Sequence, residues 1–126
     1  MKNKSDVERL EKVIGQLQGA HSEISLLAKK SPNDSLNKFK LNLINKVLES
    51  ANQVLGEKYS PFPDFTQFDA DDVPTTSDVT MVLSQYMEEA ERYRSDNVVN
   101  DYGWKYVVDG KVTEIPAGPP SKVGRK

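Results

Sequence analysis

The sequence predicts a mainly α domain: an antiparallel helical hairpin plus a third helix, three-helix bundle-like, closed by a small C-terminal β-hairpin. Three observations predict it. Apolar residues recur at steps of three and four along residues 6–29, along 36–55 and again along 79–93. A proline-rich stretch beginning after Gly56 separates the second run from the third. After Asn97 the apolar spacing drops to two, on either side of an Asp109-Gly110 turn signal.

The first helix reads from 6 to 29. Ser5, with Glu8 three residues on, forms a capping-box pattern that satisfies free N–H groups at a helix start. Val7, Leu10, Ile14, Leu17, His21, Ile24 and Ala28 make one narrow stripe, widened on one side by Val13, Ala20 and Leu27. Such a helix spans about 36 Å, at ~1.5 Å per residue. That is longer than a compact domain of this size needs, so the stripe has surface left for a partner. Gly15 and Gly19 share another face and cost roughly 2 kcal/mol together relative to Ala. They mark either a notch for a closely approaching backbone or a tolerant solvent face.

Ser31-Pro32-Asn33-Asp34 reads as the start of the second helix, with a capping Ser, a Pro at the first helical position and an acid in the first turn. Lys29-Lys30 suits the carbonyl end of the first helix. So short a link folds the two helices back on each other. Leu36, Phe39, Leu43, Val47 and Val54 form one stripe, and Leu41, Ile44, Leu48, Ala51 and Leu55 form a second beside it. One partner helix cannot cover an arc that wide. Gly56 ends the helix.

Residues 57–76 cannot be helix or central strand, because Pro61, Pro63 and Pro74 each remove a donor. Yet Tyr59, Phe62, Phe65 and Phe68 fall there. A loop of about 20 residues is uncommon in a compact domain unless it works or is packed down. It is therefore either a lid on the second helix or a docking segment. The third helix runs from 77 to 96, with Val79, Val82, Leu83, Tyr86, Met87, Ala90 and Tyr93 inward, and Glu88, Glu89 and Glu91 outward. The hairpin, about 104–115, pairs Val107 with Val112, Tyr106 with Thr113, Lys105 with Glu114 and Trp104 with Ile115. Trp104 and Ile115 should rest on the helices. The expected division is a single domain over 1–115 and a flexible basic tail over 116–126.

At 126 residues the chain suits one domain. With no Cys and one His it can form neither a disulfide framework nor a site needing two imidazoles. Met1-Lys2-Asn3-Lys4 is basic, but no apolar signal region follows and no run approaches a membrane span. These features point to a cytoplasmic protein of a reducing compartment. The net charge of −2 hides an asymmetry: +3 over residues 1–58, −8 over 59–104 and +3 over 105–126. The acidic centre disfavours nucleic acid, despite Lys29, Lys30, Lys38, Lys40, Lys46, Lys122, Arg125 and Lys126.

Candidate chemistry is sparse. Asp69-Ala70-Asp71-Asp72 opens like a calcium loop, but the sixth position is Pro74 and the twelfth Thr80, so the turn and the bidentate ligand are missing. Glu88 and Glu91, three apart on one helical face, could share a hard cation. Helical nucleoside-triphosphate pyrophosphatases use such an ExxE with an ExxD on a second helix, and no ExxD occurs here. His21 is the sole imidazole for acid–base work, and in a dimer it would meet its own copy. No nucleophile elbow or phosphate-cradling Gly loop is present.

The expected function is a non-catalytic protein–protein interaction or regulatory module, without a cofactor. It would associate with itself or with a protein partner through Val7, Leu10, Ile14, Leu17, His21 and Ile24, with Phe62, Phe65 and Phe68 as a second surface. The alternative is a divergent metal-dependent all-α hydrolase acting on a phosphate-bearing small molecule, with Glu88 and Glu91 as ligands.

Overall fold

The computed structural model describes residues 1–121. It is mainly helical, with three helices and a small three-stranded antiparallel sheet: α1 (Lys4–Lys30), α2 (Lys38–Leu55), α3 (Thr76–Asp96), β1 (Val98–Asn100), β2 (Trp104–Val108) and β3 (Lys111–Pro116). A short 3₁₀ turn, Ala70–Asp72, precedes α3.

α1 packs against both α2 and α3. Leu10, Leu17 and Ile24 from α1, Leu41, Leu48 and Leu55 from α2, and Val79, Leu83, Tyr86 and Ala90 from α3 form one buried cluster. Burial of this apolar area, at roughly 25 cal/mol per Å², is the main force holding the helices together. The helix starts at Asn3, not Ser5: Asp6 N–H donates to Asn3 Oδ1 at 3.0 Å, and Asn3 N–H donates back to Asp6 Oδ2 at 3.2 Å. Lys2 N–H also donates to Asp6, and these bonds hold its carboxyl below the ordinary value.

The second helix begins six residues later than its capping motif implies. Ser31 instead closes α1, its N–H donating to Leu27 C=O. The segment after it pairs with the entry to α3: Leu36 N–H donates to Pro74 C=O at 3.2 Å, Thr76 N–H to Asp34 C=O at 2.9 Å and Ser77 N–H to Pro32 C=O at 3.2 Å. Thr76, buried, donates its hydroxyl to Ser31 C=O at 2.7 Å. These bonds outcompete a helical start, and Asn37 becomes the cap of α2 through Lys40 N–H at 2.9 Å.

The loop between α2 and α3 is a lid. Asn45 bonds both backbone groups of Phe68 at 2.9 Å each, and Asn52 Nδ2 donates to Thr66 C=O at 2.8 Å. Phe62, Phe65 and Phe68 stack edge to face in series, centroids 5.9 and 5.1 Å apart. Phe68 is buried, and Phe62 and Phe65 pack on the core. Tyr59 lies flat on Tyr93 at 4.7 Å and donates to Asp96 at 2.6 Å, tying the loop's start to the end of α3.

The C-terminal unit has three strands where a hairpin was expected. β1 pairs with β2 as Val98↔Tyr106, Val99↔Lys105 and Asn100↔Trp104. Asp109 and Gly110 both take positive φ, 52° and 74°, as the turn between β2 and β3 requires. Val107 faces Val112 as expected, but a bulge then shifts the register so that Lys105 faces Pro116. Thr113 Oγ1 sits in the bulge, donating to Tyr106 C=O at 2.7 Å and accepting from Ile115 N–H at 3.1 Å. Tyr106, not Trp104, is the strand residue fully buried against the helices. Burial, then the charge of Glu11, pushes its phenol up to about 12. A phenol with a raised folded-state value stabilises the fold below its unfolded value near 10, and that contribution is lost as pH rises through about 12. The melting temperature is therefore expected to fall between pH 10 and 12, and to fall less for Tyr106→Phe. Calorimetry across that range checks it.

Gly15 and Gly19 face open space: a Cβ at either would meet no atom within 4 Å. No described part of the chain's own backbone fills a notch there, and both glycines lie on an exposed face of α1. Gly15→Ala with Gly19→Ala should stabilise the protein by about 1–2 kcal/mol in total, read by urea unfolding.

Candidate functional site

A groove of about 490 Å³ lies between α1 and α3. Helical spacing builds both walls: Ile14, Leu17, Gln18 and His21 from α1, and Ser84, Met87, Glu88, Ala90, Glu91 and Arg94 from α3. Leu17 and Ala90, both buried, form the floor, and half-buried Ile14 and Met87 flank it. The volume and the apolar floor with a few convergent polar groups suit a bound segment or small ligand.

His21 Nε2 and Ser84 Oγ lie 3.0 Å apart at one end. The distance suits a nucleophile and its base, but the remaining parts of acyl-transfer chemistry are not assembled. Among the described residues no carboxylate bonds the other ring nitrogen, and Ser84 sits mid-helix, where backbone N–H groups are already committed to the helix. The pair forms a polar step in the groove wall. His21 therefore meets Ser84 of its own chain.

At the other end Arg94 organises four groups. Its Nε donates to both oxygens of Glu91, at 2.7 and 2.9 Å. Its terminal nitrogens donate to the carbonyls of Ala117, Gly118 and Pro119. The Glu91 carboxylate holds the guanidinium's pKa above its ordinary value. Residues 117–119, expected in a loose tail, are thus tied to α3, and Ser121 reaches the groove lining. The rest of that tail, residues 122–126, lies outside the described residues.

The two carboxylates of the metal reading have different surroundings. Glu91 spends both oxygens on Arg94, and no group of three or more His, Asp or Glu side chains is gathered for a metal among the described residues. Glu88 lines the groove, half-buried, with no cation at ion-pair distance among the described residues.

The expected interface on α1 splits. Val7, Leu10, Leu17 and Ile24 are at most 2% exposed within the single chain and so belong to its own core. Ile14 and His21 line the groove. Phe62, Phe65 and Phe68 belong to the lid, so the second expected surface is largely consumed by α2. Sequence reasoning missed Ser84, Gln18 and Arg94. The available signal was Ser84, Glu88 and Glu91 at steps of four and three beside an apolar stripe, the mark of a half-covered helix edge. The chain matches no protein-family model, no curated protein and no solved structure. No helix among the described residues is long and apolar enough to cross a membrane.

Proposed function

We propose that this chain is a non-catalytic protein-interaction module that takes a partner segment into the groove between α1 and α3. In this reading the three helices act as a bundle-like scaffold. The first helix contributes Ile14, Gln18 and His21 to binding while its main stripe maintains the core. The observation that carries the reading is the groove: an apolar floor open to solvent, walled by rigid helices and edged by Glu88, His21 and Gln18. A segment with one or two apolar anchors and a neighbouring cation fits that lining. A chain with no cysteine suits a reducing, cytoplasmic setting.

Peptides selected from a displayed random library against the full chain test the reading. They should carry an apolar residue beside Lys or Arg, and Ile14→Glu and Met87→Glu should each weaken their binding at least tenfold with an unchanged circular dichroism spectrum. Selected peptides that tolerate both substitutions but are lost on Phe39→Ser, on the exposed face of α2, would place the working surface elsewhere.

A further inference from the structure

We propose that the occupant of the groove is a second copy of this chain, which lays the exposed face of its α2 against α1 and α3. This rests on the groove being the binding surface and names its partner.

The face is left over from the core. In the α2 stripe that includes Phe39 and Leu43, Leu36 is buried, and Val47 and Val54 pack on the core. Phe39 and Leu43 stay out, at 72% and 46% exposure. Lys46 follows at the next step of three and is exposed, so Phe39, Leu43 and Lys46 share one side of the helix. That side offers two apolar anchors with a cation beside them, the chemistry that suits the groove lining.

The groove is shaped for a helix. Its α1 wall carries Ile14, Leu17 and His21 at steps of three and four. Its α3 wall carries Ser84, Met87, Glu91 and Arg94 at steps of three, four and three. Two such seams side by side form the holes into which a further helix inserts its side chains. The lengths agree: at ~1.5 Å per residue, Phe39 to Lys46 covers about 10 Å of the roughly 15 Å between Ser84 and Arg94. The charges agree as well. α2 lies in the part of the chain that carries +3, residues 1–58, and α3 in the part that carries −8, residues 59–104. Lys38 and Lys46 make no ion pair among the described residues, and Glu88 lines the groove with none either. Arg94 is already neutralised by Glu91, so it does not repel an incoming lysine. Each copy has one groove and one α2 face, so the contact is heterologous and runs head to tail. Two anchors over two helical turns make a small interface of the weak, transient class, and the fold of one chain does not depend on it.

Sedimentation velocity of the full chain from micromolar to millimolar concentration should show its apparent mass rising from that of one chain to that of two or more. Ile14→Glu, which spoils the groove, and Phe39→Ser, which spoils the α2 face, should each stay at the mass of one chain. Their equimolar mixture should reach the mass of two chains and stop there, because one partner keeps a groove and the other keeps a face. Should Ile14→Glu lose its helical circular dichroism spectrum, Glu88→Lys on the groove wall replaces it. A mixture that stays monomeric overturns the proposal. Undiminished association of either variant by itself also overturns it, and in Ile14→Glu it would mean α2 faces pairing with each other. A wild-type chain of constant mass overturns it too, and peptides selected against the groove then judge the reading beneath. If they are lost on Ile14→Glu and Met87→Glu, the groove stands and only its occupant is wrong. If no peptide depends on either residue, the groove reading itself has failed.

Discussion

Leu17→Ala should lower the free energy of unfolding by about 3 kcal/mol, within the 2–5 kcal/mol typical of buried Leu→Ala changes. The loss should be the same at two protein concentrations twentyfold apart. Leu17 has no exposed surface and stands where α1 meets the rest of the core, so truncation leaves a cavity that rigid helices close only in part. An interface residue would behave differently, because stability drawn from a second copy grows with concentration. Leu26→Ala, on the same helix at 61% exposure, is the internal control and should change stability by less than about 0.5 kcal/mol. Urea unfolding of the three proteins at both concentrations decides the matter. A midpoint for Leu17→Ala that rises with concentration would return the first helix to the role of an interface.

The second large effect is expected at Asn52. Its side chain accepts from the buried Tyr86 hydroxyl at 2.7 Å and donates to Thr66 C=O at 2.8 Å, so it bonds α2, α3 and the lid at once. Asn52→Ala strands the Tyr86 hydroxyl without an acceptor and releases the lid, a loss of about 2–3 kcal/mol. Burial already raises the pKa of that phenol, the mark of a hydroxyl removed from water. Tyr86→Phe in the Asn52→Ala background should recover part of the loss, since the stranded donor disappears with it. The double-mutant cycle is therefore expected to show coupling of about 1 kcal/mol or more. Strict additivity would mean that the bond contributes nothing.

The helices and the β2–β3 turn were legible because their signals are local. Steps of three and four mark an apolar face wherever that face ends up, and Asp109-Gly110 needs no distant partner to adopt its turn. What escaped was chosen by residues far along the chain. Ser31 to Asp34 resembles a helix start, but backbone groups from residue 74 onward compete for it and win. β1 is three residues long, too short for an alternation to register, and exists because β2 folds back beside it. The bulge comes from the Thr113 hydroxyl bonding within the sheet, which no pattern of apolar residues encodes. Of the groove, His21 was visible as an imidazole in an apolar stripe, while Ser84 gains meaning only from lying opposite it, 63 residues away.

By itself the sequence determined where apolar faces lie along each helix and what local backbone each stretch prefers, because hydrophobic period, capping and turn chemistry act over a few residues. It did not determine which of those faces are covered, and Phe39 and Leu43 of one α2 stripe stay exposed. Only the tertiary structure decided what those residues meet. The Leu stripe of α1 is buried within its own chain, and the aromatic loop is bolted to α2 by Asn45 and Asn52. The physical reason is that burial is non-directional: it rewards an apolar face for being covered without specifying by what. Directional hydrogen bonds between distant segments make that choice.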